Sequence, residues 1–110
     1  MALHSRNTFR RIELGVTEMR PFKAGNISGL TNANGWAMTE GRLPEEWRDR
    51  FTRARSGGGI EYAFYSYQTP IAWKLRGNRW LMPSVKYSLS TSDHQRHVFH
   101  AIESNGGSDV

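Results

Sequence analysis

Two phrases in this chain hold the side chains that chemistry could use. Tyr65-Ser66-Tyr67-Gln68-Thr69-Pro70-Ile71-Ala72 and Lys86-Tyr87-Ser88-Leu89-Ser90-Thr91-Ser92-Asp93-His94-Gln95 flank a Gly77-Asn78 pair. Hydroxyls, an imidazole and a carboxamide are concentrated there beyond what strand ends in an ordinary core need. The block is either a site or an unusually polar structural corner. Ser88, Ser90, Thr91 and Ser92 lead into an expected helix start, where free backbone N–H groups and the helix dipole favour an anion. Tyr87, His94 and Arg96 would complete a phosphate pocket. The plainer reading makes one hydroxyl the helix cap and leaves the others decorating a strand end. Asp93 also stands where an anion would sit, and would repel it. Hydrogen bonds among Ser88, Thr91, His94 and Gln95 beneath Tyr67 would make the corner structural, whereas an opening into a basic cleft would favour a site.

His94, His97 and His100 repeat every third residue. On a helix each step turns back by about 60°, so the three rings fan across one side. Two of them with Asp93 or Glu103 could hold a metal, but no HExxH or Cys/His pattern accompanies them. We therefore expect surface or half-buried histidines, no metal and no cofactor. A metal-independent ribonuclease could use His94, His97, Tyr87 and Arg96 as acid, base and phosphate clamp. Nothing resembling a nucleophile elbow, a phosphate loop or a carboxylate pair supports that chemistry, and the expectation is a non-catalytic protein.

Basic residues offer a third possibility. Lys74, Arg76 and Arg79 gather around the Gly77-Asn78 turn, and Arg48 and Arg55 lie off the apolar stripe of a preceding helix. Such a tip can engage a nucleic-acid backbone while Tyr62, Tyr65, Tyr67 or Trp80 stack on bases. Fifteen basic residues oppose ten acidic ones for a net charge of +5. Arginine dominates the basic set, and its planar fork suits phosphate. An Arg-rich codon bias, with these cations on solvated faces and the aromatics in the core, is the competing explanation.

The elements that must position these groups are legible to different degrees. At 110 residues with 37% hydrophobic and 12% aromatic content, the chain reads as one folded domain. It lacks cysteine, in keeping with a reducing cytoplasm. No apolar run suits a membrane span, and Met1 to Arg11 has no apolar segment of a secretory leader. A helix is expected over 44–56, with Pro44 at its first turn, Glu45 and Glu46 at its positive end, and Arg53 and Arg55 at its negative end. Leu43, Trp47, Phe51 and Ala54 give it an apolar stripe, and Gly57-Gly58-Gly59 ends it. Residues 60–76 then read as one strand bent at Thr69-Pro70, with Ile71, Trp73 and Leu75 on one face. The strand over 79–87 returns antiparallel, closing a hairpin. A second helix over 92–103 is capped by Thr91 or Ser92 and buries Gln95, Val98, Phe99 and Ile102.

Phe9 to Met19 fits a helix or a strand, and Gly15 weakens the helix. Residues 20–29 read as a short extended piece with turns. The ends, about 1–8 and 104–110, are expected to be flexible. The sum is an α+β domain: a small twisted antiparallel sheet built on a hairpin, with two helices covering one face.

Together, Tyr65-Ser-Tyr-Gln-Thr-Pro-Ile-Ala72 and Tyr87-Ser-Leu-Ser-Thr-Ser-Asp-His-Gln95, preceded by Phe22-Lys-Ala-Gly-Asn26-Ile-Ser-Gly29, resemble a small domain of unknown function found in phages and prophages, notably of actinobacteria and some archaea. The likeness covers roughly residues 20–103, and Ser90 stands where such proteins often have Thr. It implies a virus-encoded accessory protein working in the host cytoplasm, and implies no activity, cofactor or catalytic residue. The expected function is a binding module for nucleic acid, using Lys74, Arg76, Arg79, Tyr65, Tyr67, Tyr87, Ser88, Thr91, Ser92, His94, Gln95 and Arg96. The alternative partner is a host protein, with Trp36 or Tyr62 as anchors.

Overall fold

The computed structural model describes residues 6–31, 38–57, 59–83, 89–105 and 108–109. Three helices, α1 (Arg6–Glu18), α2 (Glu45–Ser56) and α3 (Leu89–Ser104), accompany strands β1 (Phe22–Ala24), β2 (Ile27–Thr31), β3 (Ile60–Ser66), β4 (Thr69–Leu75), β5 (Arg79–Leu81) and β6 (Ser108–Asp109). The sheet order is β1-β2-β3-β4-β5-β6, so each strand pairs with its neighbour in sequence. All pairs are antiparallel except the two-residue β6, which lies parallel to β5. The α+β class expected from the sequence is the one observed.

The helices divide between two faces of the sheet rather than covering one. Ile12 and Val16 of α1 and Val98 and Ile102 of α3 pack with Ile27, Tyr62, Phe64, Ile71, Ala72 and Trp80. On the opposite face Phe51 of α2, with Met38 and Leu43, packs on Ile60, Ala63, Tyr65, Trp73 and Leu81. Trp73 is the centre of that second core, edge-on to Phe51 at 5.0 Å and to Trp47 at 6.0 Å. Strand alternation supplies both apolar faces, because neighbouring side chains project to opposite sides.

Two register shifts correct the expected facing of side chains. One skips Glu61 between Ile60 and Tyr62, so these two residues serve opposite cores. The other sets Phe64 opposite Ala72 but Tyr65 opposite Pro70. A bulged residue breaks the alternation, and Ile71 therefore joins the α1/α3 core while Trp73 joins the α2 core. Proline cannot donate to the ladder, so a bulge beside Pro70 is the arrangement that tolerates it.

Residues 60–76 also form two strands, not one bent strand, joined by a tight turn at Tyr67-Gln68. The expected return strand spans Arg79–Leu81, and positions 84–88 lie outside the described residues. Helix α2 matches its expected limits, with Pro44 immediately before it. Helix α3 starts at Leu89, so Thr91 and Ser92 lie inside its first turn rather than at its cap. Its buried face carries Thr91, His94, Val98 and Ile102, leaving Gln95 and Phe99 only half-buried.

The ambiguous N-terminal segment is helix α1, and Arg6–Thr8 form its first turn rather than a loose arm. Gly15 is not a flaw in it. A Cβ there would stand 2.6 Å from the Tyr62 hydroxyl, so only glycine lets α1 approach β3 this closely. Ser108–Asp109, expected in a frayed tail, pair with Arg79 and Trp80. Among the described residues, no helix is long and apolar enough to cross a membrane.

Candidate functional site

One end of the sheet gathers three turns and a helix start. Pairing of Ile27 with Ser66 sets the β1–β2 turn beside the β3–β4 turn, and the Tyr67 N–H donates to the Asn26 carbonyl at 2.6 Å. The 39–42 loop leans on the same turn. The Arg42 N–H donates to the Thr69 hydroxyl at 2.9 Å, and the Thr39 hydroxyl donates to the Gln68 carbonyl at 3.4 Å. Gly41 permits this contact, since a Cβ would lie 2.3 Å from the Gln68 carbonyl oxygen. From the other face, α3 reaches Ser66 through Thr91 and His94.

These pieces enclose a groove of about 920 Å³. Its walls are Phe22, Lys23, Gly25, Asn26, Ser28 and Leu30 on β1, β2 and the turn between them, Gly41 and Arg42 on the loop, Ser66 to Thr69 at the β3–β4 turn, and Thr91. Among the described residues, Lys23 and Arg42 are its charged groups and no carboxylate lines it. Amides and hydroxyls of Asn26, Ser28, Gln68 and Thr69 supply neutral donors and acceptors. Tyr67 stands at the lip, 52% exposed.

Beneath the groove, the Ser66 hydroxyl oxygen lies 2.7 Å from His94 Nδ1 and 3.0 Å from Thr91 Oγ1. A serine this close to an imidazole has the spacing of a base-activated nucleophile. Ser66 is only 1% exposed, however, and its oxygen is shared with Thr91. The trio is a buried polar latch that ties the end of β3 to α3, a task that buried hydroxyls perform only when mutually bonded.

The residues expected to form one surface are distributed over several. Tyr67 and Thr91 reach the groove. Tyr65 is buried on the α2 face, its hydroxyl donating to the Thr39 carbonyl at 2.8 Å, and burial pushes its pKa well above 10. It is therefore no stacking surface. Tyr62, proposed as an anchor, is fully buried with its hydroxyl 2.6 Å from the Arg20 carbonyl. Burial raises its pKa in the same way. Lys74 is paired with Glu61. Arg76 and Arg79 are exposed at the β4–β5 tip, which the Thr69–Leu75 length of β4 holds roughly 20 Å from the groove.

On α3, Gln95 donates to the Pro83 carbonyl at 3.3 Å, Arg96 pairs with Asp93, and Ser92 is half-buried. His97 lies 3.6 Å from Asp93 and against the ring of Phe9. His94 instead faces Ser66, so the histidines do not converge. Among the described residues, no group of three His, Cys, Asp or Glu side chains could hold a metal. Tyr87, Ser88 and Trp36 lie outside the described residues.

Sequence reasoning did not single out Lys23, Asn26, Arg42, Ser66 or Gln68 as site residues. Of these, Ser66 and Gln68 sat inside the polar-aromatic block and Lys23 and Asn26 inside the Phe22–Gly29 phrase, while Arg42 sat in none. Lys23 in β1 and Arg42 in the 39–42 loop are far apart in sequence and come to one groove only because the fold brings the two together.

No curated protein and no solved structure matches the chain. A family model does match residues 31–109, more than two thirds of its length. The described part of that match runs from the end of β2 through α2, the central strands and α3, and leaves α1 and β1 outside. The chain belongs to DUF8033, a family of unknown function.

Proposed function

We propose that this protein is a non-catalytic module that binds nucleic acid through the groove at the turn end of its sheet. One observation carries the reading: among the described residues, the groove has two cations, several neutral hydrogen-bonding groups and no carboxylate. Phosphate–cation contacts supply most of the affinity of such interfaces and make it salt-dependent. The net charge of +5 supports the same partner. The likeness to phage and prophage proteins supports an accessory role in the cytoplasm of an infected host.

Titration of labelled DNA and RNA oligonucleotides across a salt series tests this reading. Binding should weaken steeply with salt, and Lys23→Glu with Arg42→Glu should remove most of it. Each lost phosphate contact should lower the slope of log affinity against log salt by about 0.7 for a single strand. Absence of binding at low salt overturns the proposal. Loss of binding on substituting Arg76 and Arg79, with the groove pair neutral in effect, would move the interface to the hairpin tip.

A host protein is the second partner, favoured by the 90% exposure of Leu89 at the start of α3 and by the exposed Phe9. Capture from host lysate after nuclease digestion separates the two, since a protein partner survives that treatment.

A further inference from the structure

The turn that carries Tyr67 is built against the preferences of its own residue. Tyr67 has φ +59°, in the left-handed region where bulky side chains are outliers. At the neighbouring β1–β2 turn the same region is filled by glycine, Gly25 at φ +64°. Tyr67 is nevertheless held firmly, through its N–H bond to Asn26 and its place between paired Ser66 and Thr69. Its ring gains little burial in return, being half exposed at the groove lip. Among the described residues its hydroxyl has no hydrogen-bond partner and its ring no aromatic neighbour. Strain kept at an exposed aromatic beside a cationic groove points to a contact made only with a ligand.

We infer that the groove takes single-stranded nucleic acid, with one unpaired base stacked on the Tyr67 ring and the adjoining phosphates held by Lys23 and Arg42. This rests on the nucleic-acid reading above and narrows it. Stacking requires a free base face, which a duplex hides between its neighbouring pairs, whereas splayed single strands present one. Asn26 and Gln68, on the two turns that meet at the lip, carry carboxamides able to meet a base edge from either side. Stacking tolerates any base, so the expected sequence preference is modest.

Fluorescence anisotropy at low salt, with a labelled oligothymidylate, an oligouridylate and a duplex of equal length, tests the inference. Single strands should bind more tightly than the duplex. Tyr67→Asn suits the left-handed turn while removing the ring. It should weaken single-strand binding by roughly 10- to 100-fold, leave the salt slope unchanged and preserve the thermal midpoint. Tyr67→Trp should retain the binding. Wild-type affinity in the well-folded Tyr67→Asn variant, or equal affinity for duplex and single strand, overturns the stacking role. If the Lys23→Glu, Arg42→Glu pair still abolishes binding in that case, the nucleic-acid reading stands without it. If nothing binds at low salt, both readings fall.

Discussion

Replacing Gly29 by alanine should damage this fold more than any other single methyl group added to the sheet. The Tyr62 phenol lies in a slot between α1 and β2, with Gly15 on one wall and Gly29 on the other. A Cβ on Gly29 would stand 1.8 Å from the Tyr62 hydroxyl oxygen, 2.5 Å from its Cζ and 2.8 Å from Phe22 Cε1. Tyr62 is fully buried, and its hydroxyl donates to the Arg20 carbonyl at 2.6 Å. The ring therefore cannot swing aside without breaking that bond, and β2 cannot retreat without disturbing its pairing with β1 and β3. Overpacking of this kind costs about 1–3 kcal/mol, and loss of the hydrogen bond adds about 1 kcal/mol. The total of about 2–4 kcal/mol corresponds to a fall in Tm on the order of 10–20 °C for a domain of this size. Urea unfolding followed by tryptophan fluorescence, alongside thermal circular dichroism, measures it. Combining Gly29→Ala with Tyr62→Phe should recover only part of the loss, because the hydroxyl contact disappears and the ring-carbon contact does not. A Gly29→Ala variant within about 0.5 kcal/mol of the parent would refute the steric argument, and so would full rescue by Tyr62→Phe.

Three other outcomes follow from the geometry. Ser66→Ala removes the shared centre of the Thr91–His94 latch, and should cost about 1–3 kcal/mol in urea unfolding with no change in net charge. Stability should fall above pH 10, because burial raises the Tyr62 and Tyr65 pKa values above their usual 10. The folded chain then keeps phenolic protons that the unfolded chain releases. This contribution is intact below pH 10 and is lost as pH rises, by up to about 1.4 kcal/mol per unit for each tyrosine, and Tyr65→Phe should flatten the decline in a pH series of unfolding curves. Lys74→Ala leaves the half-buried Glu61 carboxylate without its partner and should lower stability by about 1 kcal/mol, whereas Arg96→Ala breaks an exposed pair and should be nearly neutral by the same assay.

Legibility followed the locality of each signal. Helix α2 was readable to within a residue because proline, two glutamates and a glycine run all lie next to the boundaries they set. The strand over 60–76 hid a turn because Tyr67 occupies a left-handed position without the glycine or asparagine that would have announced it. Facing of the strands was misjudged beyond Pro70 because a bulge changes which core a residue serves without leaving a reliable mark in composition. The position of α2 opposite α1 and α3 could not be read either, since an apolar stripe says that a helix packs but not on which side of a sheet. The site was partly visible. Thr91 and His94 stood out by type, yet their partner Ser66 is 25 and 28 residues away, and only the fold joins them. Lys23 and Arg42 resemble ordinary surface cations until the turn end brings them to one groove.

Strict sequential order in the sheet also bears on how the chain acquires its structure. Pairing of each strand with its successor means that β1–β2 and β3–β4–β5 can form as hairpin units with short loop closures, whereas β2 must meet β3 across residues 32–59, which include α2. The docking of α3 on α1, the last helix against the first, spans more of the chain than any strand pairing. Contacts of low sequence separation are made quickly, so the two hairpin units should precede that docking in refolding. His94 and Thr91 would then lock onto Ser66 late, and substitutions in the latch should accelerate unfolding while leaving the refolding rate almost untouched.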